Sequence, residues 1–233
     1  MKNNSFENIL ESESFNELQG IVKWFNIHGF EPILVGGWAA FYYHKKQAST
    51  DIDLVVPSKR AIDLFAEEYA KKHGFERMLS ERVRVNFKKR INSEIMEIDI
   101  FTYAHKNALL AFPEIAIPWK LCEEYSEKRP INKNCTARLP KKELLILYKA
   151  ASLIDRREKI RRTPHIALRE KLKSKIEKDE EDIKQLLALH LDTKLLDCLL
   201  EKTGFKRLFY KTVGKINSEA FNGKKLKRFR ESR

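Results

Sequence analysis

Two aspartates separated by one residue, Asp51 and Asp53, lie near the end of the stretch ILVGGWAAFYYHKKQASTDIDLVV, residues 33–56. Alternate side chains of a strand share a face, so both carboxylates point one way while Ile52 and Leu54 face the core. Like charges so placed repel each other, and a hard divalent cation with oxygen ligands is the partner that satisfies them. Asp99, in the alternating apolar run EIMEIDIFT (residues 94–102), offers a third strand carboxylate. Three carboxylates clamping two metal ions about 3.5–4 Å apart is an arrangement used for in-line attack on a phosphate. Upstream, Gly36 and Gly37 follow the apolar run Ile33, Leu34 and Val35. Lacking Cβ atoms, they let the backbone come close to a phosphate and present N–H groups at a helix start. Together these residues point to a nucleoside triphosphate (NTP) handled with Mg2+ or Mn2+.

A Gly-Gly turn, thirteen residues, Asp-x-Asp and then a later strand aspartate resemble the nucleotidyltransferase superfamily related to polymerase β, and within it the AbiEii-like abortive-infection toxins. The resemblance is specific over residues 33–102. It implies that Asp51, Asp53 and Asp99 are the catalytic and metal-binding set, with Asp99 also able to take the proton of an attacking hydroxyl. It further implies that Gly36, Gly37 and Ser49 hold the triphosphate, Ser49 matching the family Ser/Thr two residues before the first aspartate. The family arginine two residues earlier is replaced by Gln47, a departure that Lys45 and Lys46 match in charge but not in bidentate geometry. More loosely, Lys149, then Arg156 or Arg157, then the run KDEED at residues 178–182 resemble the family's helical half. On that resemblance Lys149 and Asp182 join the nucleotide-binding residues. The residues alone equally allow an inter-helix ion pair of Lys149 with Asp179 or Asp182, which are three apart and share a helix face.

The elements that must position these groups follow from periodicity. Ser14 and Glu17 read as a capping box ahead of Leu18, Ile21, Val22 and Phe25, with Gly29 ending that helix. A strand over residues 33–35, a helix over 37–46 and the Asp-x-Asp strand come next. Trp38, Phe41 and Tyr42 share a helix face and read as core rather than as a base-stacking surface. Ser58 caps a helix over residues 59–73, stopped by Gly74. Residues 75–79 and the alternating RVRVNFKK (82–89) predict two more strands, the latter with Val83, Val85 and Phe87 inward and Arg82, Arg84, Asn86 and Lys88 outward. Residues 104–140, punctuated by four prolines, predict irregular chain with extra strands near 116–119 and 135–139. From Pro140 onward the pattern is helical: 141–155, a basic segment RREKIRRT at 156–163, then helices over 165–190, 193–202 and 205–218. The expected fold is α/β (α+β): a mixed-sheet catalytic domain, residues 1–139, and a helical domain, residues 140–233, ending in a basic tail.

The chain has 233 residues, a formal charge of +13 and no apolar run long enough to span a bilayer, so a cytoplasmic protein without a membrane partner is expected. Its three cysteines form no C-x-x-C pair, which argues against a zinc site. Positive charge favours polyanions. The leading expectation is a nucleotidyltransferase that moves a nucleoside monophosphate from an NTP to a hydroxyl of RNA, tRNA foremost, as a toxin paired with a cognate antitoxin. Two alternatives stand beside it: transfer to a small antibiotic-type molecule, or an inactive nucleotidyltransferase fold that binds RNA or protein.

Overall fold

The computed structural model describes residues 9–80 and 83–220. Arg82, the first eight residues and the basic tail at 223–233 lie outside them. The chain forms two compact units, residues 1–107 with 117–145, and residues 108–116 with 146–233.

The first unit is built on a seven-stranded mixed sheet. In chain order its strands are β1 (Ile33–Val35), β2 (Ile52–Val56), β3 (Glu76–Ser80), β4 (Arg84–Ile91), β5 (Glu94–Thr102), β8 (Ser126–Asn132) and β9 (Cys135–Pro140). They lie in the order β3-β4-β5-β2-β1-β9-β8. β2 runs antiparallel to β1 and parallel to β5, which makes the sheet mixed and its centre buried. Three helices belong to this unit: α1 (Ile9–Ile27), α2 (Gly36–His44) and α3 (Lys59–Phe65), the last running on into a π-helical turn, Ala66–Ala70. A short helix α4 (Lys120–Glu124) precedes β8. The core joins the strand residues Leu34, Ile52, Leu54, Phe87, Ile98 and Ile100 to Phe25, Trp38 and Phe65, all nearly sealed from solvent. Phe65 stacks between Phe25 and Tyr69, at 5.3 and 5.2 Å between ring centres. Trp38 and Phe41 are core residues, as their helical spacing predicts.

Two expectations fail here. Ser14 is no cap, because α1 begins at Ile9 and carries Ser14 inside it. The buried Ser14 hydroxyl instead accepts the Trp38 indole N–H at 3.0 Å. Glu17 accepts from the Tyr69 hydroxyl at 2.8 Å and from Lys89 at 3.0 Å. The serine and glutamate spacing thus serves tertiary bonds from α1 toward α2, the π turn and β4. The proline-punctuated region is also more regular than expected: the strand expected at 135–139 is β9, the unexpected β8 pairs with it at the edge of the main sheet, and the unexpected β6 (Lys106–Leu109) pairs with β7 (Phe112–Pro118), which overlaps the strand expected near 116–119, as a separate hairpin. Proline is tolerated because β8, with Pro130, is an edge strand, while Pro118 and Pro140 close their strands.

The second unit contains α5 (Lys142–Arg162) from residue 146 on, α6 (Ile166–Leu187), α7 (Thr193–Lys202) and α8 (Lys206–Ala220). Its core includes Ile146, Leu147, Ala150, Ile183, Leu186, Leu199, Phe205 and Phe209. The segment RREKIRRT does not interrupt the helix as expected; α5 runs through it to Arg162. Glu158 pairs with Arg162 at 2.8 Å and with Arg161 at 3.3 Å, and cations in a last turn suit the helix dipole. Asp192 caps α7 by accepting from the Lys194 and Leu195 amides. No described helix is long and apolar enough to cross a membrane, and no disulfide joins the cysteines.

On α5, Asp155 accepts the Leu110 amide at 2.9 Å, and burial raises its carboxyl above the ordinary value against the opposing pull of Leu110, Lys159 and Arg156. A raised folded-state value means that the folded chain holds this proton more tightly than the unfolded one. The associated stability is present below the unfolded value near pH 4 and lost as pH rises through the folded one. Asp155→Asn, which keeps the acceptor oxygen, is therefore expected to raise the urea midpoint at pH 7 and leave it unchanged at pH 3.5. Parallel urea titrations at the two pH values check this.

Candidate active site

The parallel pairing of β2 with β5 sets Asp53 directly beside Asp99. On the other side Asp53 faces Val35 of β1, and Asp99 faces Asn86 of β4. A row Val35–Asp53–Asp99–Asn86 thus crosses four strands, with neighbours about 4.8 Å apart. Gly36 follows Val35 directly and opens α2 with φ +64°. This conformation favours glycine, and a Cβ there would collide with the Asp53 carboxylate. The glycine is required by the aspartate: the chain turns from strand to helix against that side chain. Gly37 is buried in the first turn of α2.

Asp51 precedes β2, half-buried like Asp53. Ser49 is buried and donates its hydroxyl proton to the Asp51 carbonyl at 3.0 Å. It holds the approach to the Asp-x-Asp strand in place. Lys45, in left-handed conformation at the end of α2, has its ammonium 4.3 Å from the Tyr42 ring centre, and burial lowers its pKa. At Gln47, where the resembled family carries arginine, the amide oxygen is buried and accepts no hydrogen bond from the described residues.

Asp99 is held by two neighbours on β4. Its Oδ1 accepts from Arg84 Nε at 3.2 Å and Nη2 at 3.0 Å, and from Asn86 Nδ2 at 3.2 Å. The Arg84 guanidinium lies over the Phe101 ring, 5.3 Å from its centre. Oδ2 of Asp99 accepts no hydrogen bond from the described residues. Arg84 and Asn86 are thus site residues that the motif did not single out. Their alternation in RVRVNFKK put them on one outward face, and only strand pairing shows that this face meets Asp99. Among the described residues no three His, Cys, Asp or Glu side chains are gathered closely enough to hold a metal ion. Asp53 and Asp99 are brought together by register, Asp51 adjoins them along the chain, and Arg84 supplies a positive charge at Asp99. The donor set is nevertheless all oxygen and anionic, which suits a hard divalent cation.

Lys149 and Asp182 lie in the second unit. Lys149 is 7% exposed and reaches Asp179 at 3.0 Å and Asp182 at 2.7 Å, themselves 2% and 0% exposed. Arg156 pairs with Asp179 as well, and Arg157 with Glu180 at 2.6 Å. The ion pair that the residues alone allowed is formed, with both aspartates at once, and it ties α5 to α6.

Gly36→Ala tests the fit at the glycine. The left-handed backbone costs about 1–2 kcal/mol for an L side chain. The collision also displaces Asp53, and a misplacement near 1 Å at a catalytic group costs on the order of 10²-fold in rate. Gly74 has φ +74° with nothing within 4 Å of an added Cβ, so Gly74→Ala carries the backbone cost alone. Melting curves and turnover of any site activity should show both variants destabilised and only Gly36→Ala impaired.

No protein-family model matches the chain, and no curated protein matches it. Solved structures do match. A solution structure of the antibiotic-resistance factor ANT(2'')-Ia is 13% identical, covers 90% of this chain and 99% of its own, and superposes with a TM-score of 0.52. A crystal structure of the lincosamide antibiotic adenylyltransferase LnuA with lincomycin bound is 16% identical over 75% of this chain and 97% of its own, TM-score 0.46. A crystal structure of ANT(2'')-Ia in complex with adenylyl-2''-tobramycin is 15% identical over 83% and 98%, TM-score 0.46. The likeness to the first of these is one of fold: a mixed sheet followed by a helical C-terminal part, the nucleotidyltransferase fold.

Proposed function

We propose that this protein transfers a nucleoside monophosphate from an NTP to a hydroxyl of a small-molecule acceptor, releasing pyrophosphate. The observation that carries the reading is the row in which Asp53 and Asp99 stand side by side on parallel strands, with Gly36 turned against the Asp53 carboxylate. Asp51 and Asp53 would hold a divalent cation, Mg2+ or Mn2+, which when bound neutralises the charge of the triphosphate and its transition state. The N–H groups of Gly36 and Gly37 open α2 and suit a phosphate at the helix N-terminus. Asp99 receives the acceptor proton at Oδ2 while Arg84 and Asn86 hold Oδ1 and fix the direction of the other oxygen. Ser49 positions Asp51 by its bond to the Asp51 carbonyl. Lys149 and Asp182 serve the helical unit as an ion-pair cluster rather than as triphosphate ligands.

The small-molecule acceptor draws its support from the fold shared with an antibiotic-resistance factor along nearly the full length of both chains. An RNA acceptor in an AbiEii-like toxin, with an antitoxin as partner, is the second reading, and the charge of +13 favours it. One experiment separates them: α-labelled NTPs and Mg2+ are supplied with a panel of hydroxylated antibiotics and with total tRNA, from low to high salt. The account expects label on a small molecule with a shallow salt dependence. Label on tRNA that falls steeply with salt would replace it with the toxin reading.

A further inference from the structure

We propose that the cleft between the end of α5 and the first half of α6 docks an acidic segment of a partner protein that carries aliphatic side chains. The cleft has a volume of about 560 Å3. Lys159, Arg162, Lys171 and Lys175 contribute four cations to its lining, with no acidic residue among the lining residues described. Leu168 and Leu172 supply an aliphatic floor. Glu158 pairs with Arg162 from outside that lining, and Lys171 and Lys175 have partners of their own, so it is the net positive charge of the lining that counts.

The surroundings of the cleft point the same way. Of seven large apolar side chains exposed among the described residues, Leu168, at 44% exposure, lines the cleft, and Leu110, at 42%, is bonded to a residue of the lining. Leu110 belongs to this corner because its carbonyl accepts from Arg162 Nη2 at 3.4 Å. Single exposed apolar residues need no explanation, but here Leu168 continues into the less exposed Leu172 inside a cleft edged by cations. Cations without lining acids select an anion by charge complementarity. The choice between nucleic acid and protein rests on the walls. Single-stranded nucleic acid is bound by stacking its bases on aromatic rings, and no Phe, Tyr or Trp lines this cleft. Aliphatic walls among cations match an amphipathic acidic segment whose Leu, Ile or Val side chains enter while its carboxylates meet the lysines. The proposal does not depend on the nucleotidyl-transfer reading.

The test uses the full chain and three fluorescein-labelled probes followed by anisotropy. They are a helix-forming peptide of Glu with Leu at helical spacing, the same peptide with Ser for Leu, and an oligouridylate. Leu168→Asp and Lys159→Glu/Lys171→Glu change exposed positions, and urea midpoints confirm that both variants fold. The Leu peptide is expected to bind, to lose at least about tenfold in affinity in each variant, and to outbind the Ser peptide by a similar factor. Equal binding of the two peptides, or affinity unchanged in the variants, overturns the proposal. Oligouridylate binding that falls in Leu168→Asp as far as peptide binding does also overturns it, and makes the cleft a nucleic-acid site.

Discussion

Asp53→Asn is expected to abolish nucleotidyl transfer, by on the order of 10³-fold or more, without lowering the stability of the chain. The loss follows from the chemistry. On the proposed reading, a cation held at Asp51 and Asp53 would supply several kcal/mol of charge stabilisation, and each 1.36 kcal/mol is a factor of ten in rate. An amide at position 53 keeps the shape and hydrogen-bonding oxygen but removes the charge that would hold the cation. The stability statement follows from register. Asp53 lies beside Asp99 in the parallel pair, so removing one of the two negative charges relieves a repulsion between them, and the isosteric amide keeps an oxygen that can still accept a hydrogen bond. Initial rates at saturating NTP together with urea midpoints check both halves. A variant that loses activity and stability in equal measure would instead place Asp53 in a structural role.

Lys149→Met is expected to destabilise the chain by about 3–5 kcal/mol, the largest single effect on stability. Lys149, Asp179 and Asp182 are almost fully buried, and the ammonium reaches both carboxylates. Taking it away leaves Asp182 a buried charge without that counter-ion and Asp179 paired with Arg156 alone among its described ion pairs. The triple change Lys149→Met, Asp179→Leu, Asp182→Leu removes the buried charges together and is expected to recover most of the loss, because apolar replacement of a whole buried ionic cluster is often neutral. Chemical denaturation of the single and triple variants measures this. Recovery in the triple variant would locate the cost in charge burial; no recovery would locate it in packing between α5 and α6.

The stretch from Ile33 to Asp53 and the strand carrying Asp99 were legible because the features that mark them are local: an apolar run, a glycine pair, and alternation. Why Gly36 must be glycine was not, since the Asp53 side chain that fills its Cβ space lies 17 residues further on. The same holds for Arg84 and Asn86. Their shared face could be read from RVRVNFKK, but which carboxylate meets that face depends on the pairing of β4 with β5. Where a local signal misled, a tertiary contact explains it. Ser14 and Glu17 have capping-box spacing yet bond to Trp38, Tyr69 and Lys89 from inside a helix. RREKIRRT looked like a break yet continues α5, because Glu158 bridges the arginines one turn on. The strand near 135–139 could be read and is β9, whereas β8 was hidden by a proline that is harmless at a sheet edge.

Following two labels of one nucleotide tests the central claim most directly. The protein is incubated with Mg2+ and a responsive hydroxylated acceptor, once with an NTP labelled at the α-phosphate and once with the same NTP labelled at the γ-phosphate. Nucleotidyl transfer predicts α-label on the acceptor, γ-label in pyrophosphate, and neither in Asp53→Asn. Label from the γ-phosphate on the acceptor would make the reaction phosphoryl transfer, and α-label transferred undiminished by Asp53→Asn would contradict the site described here.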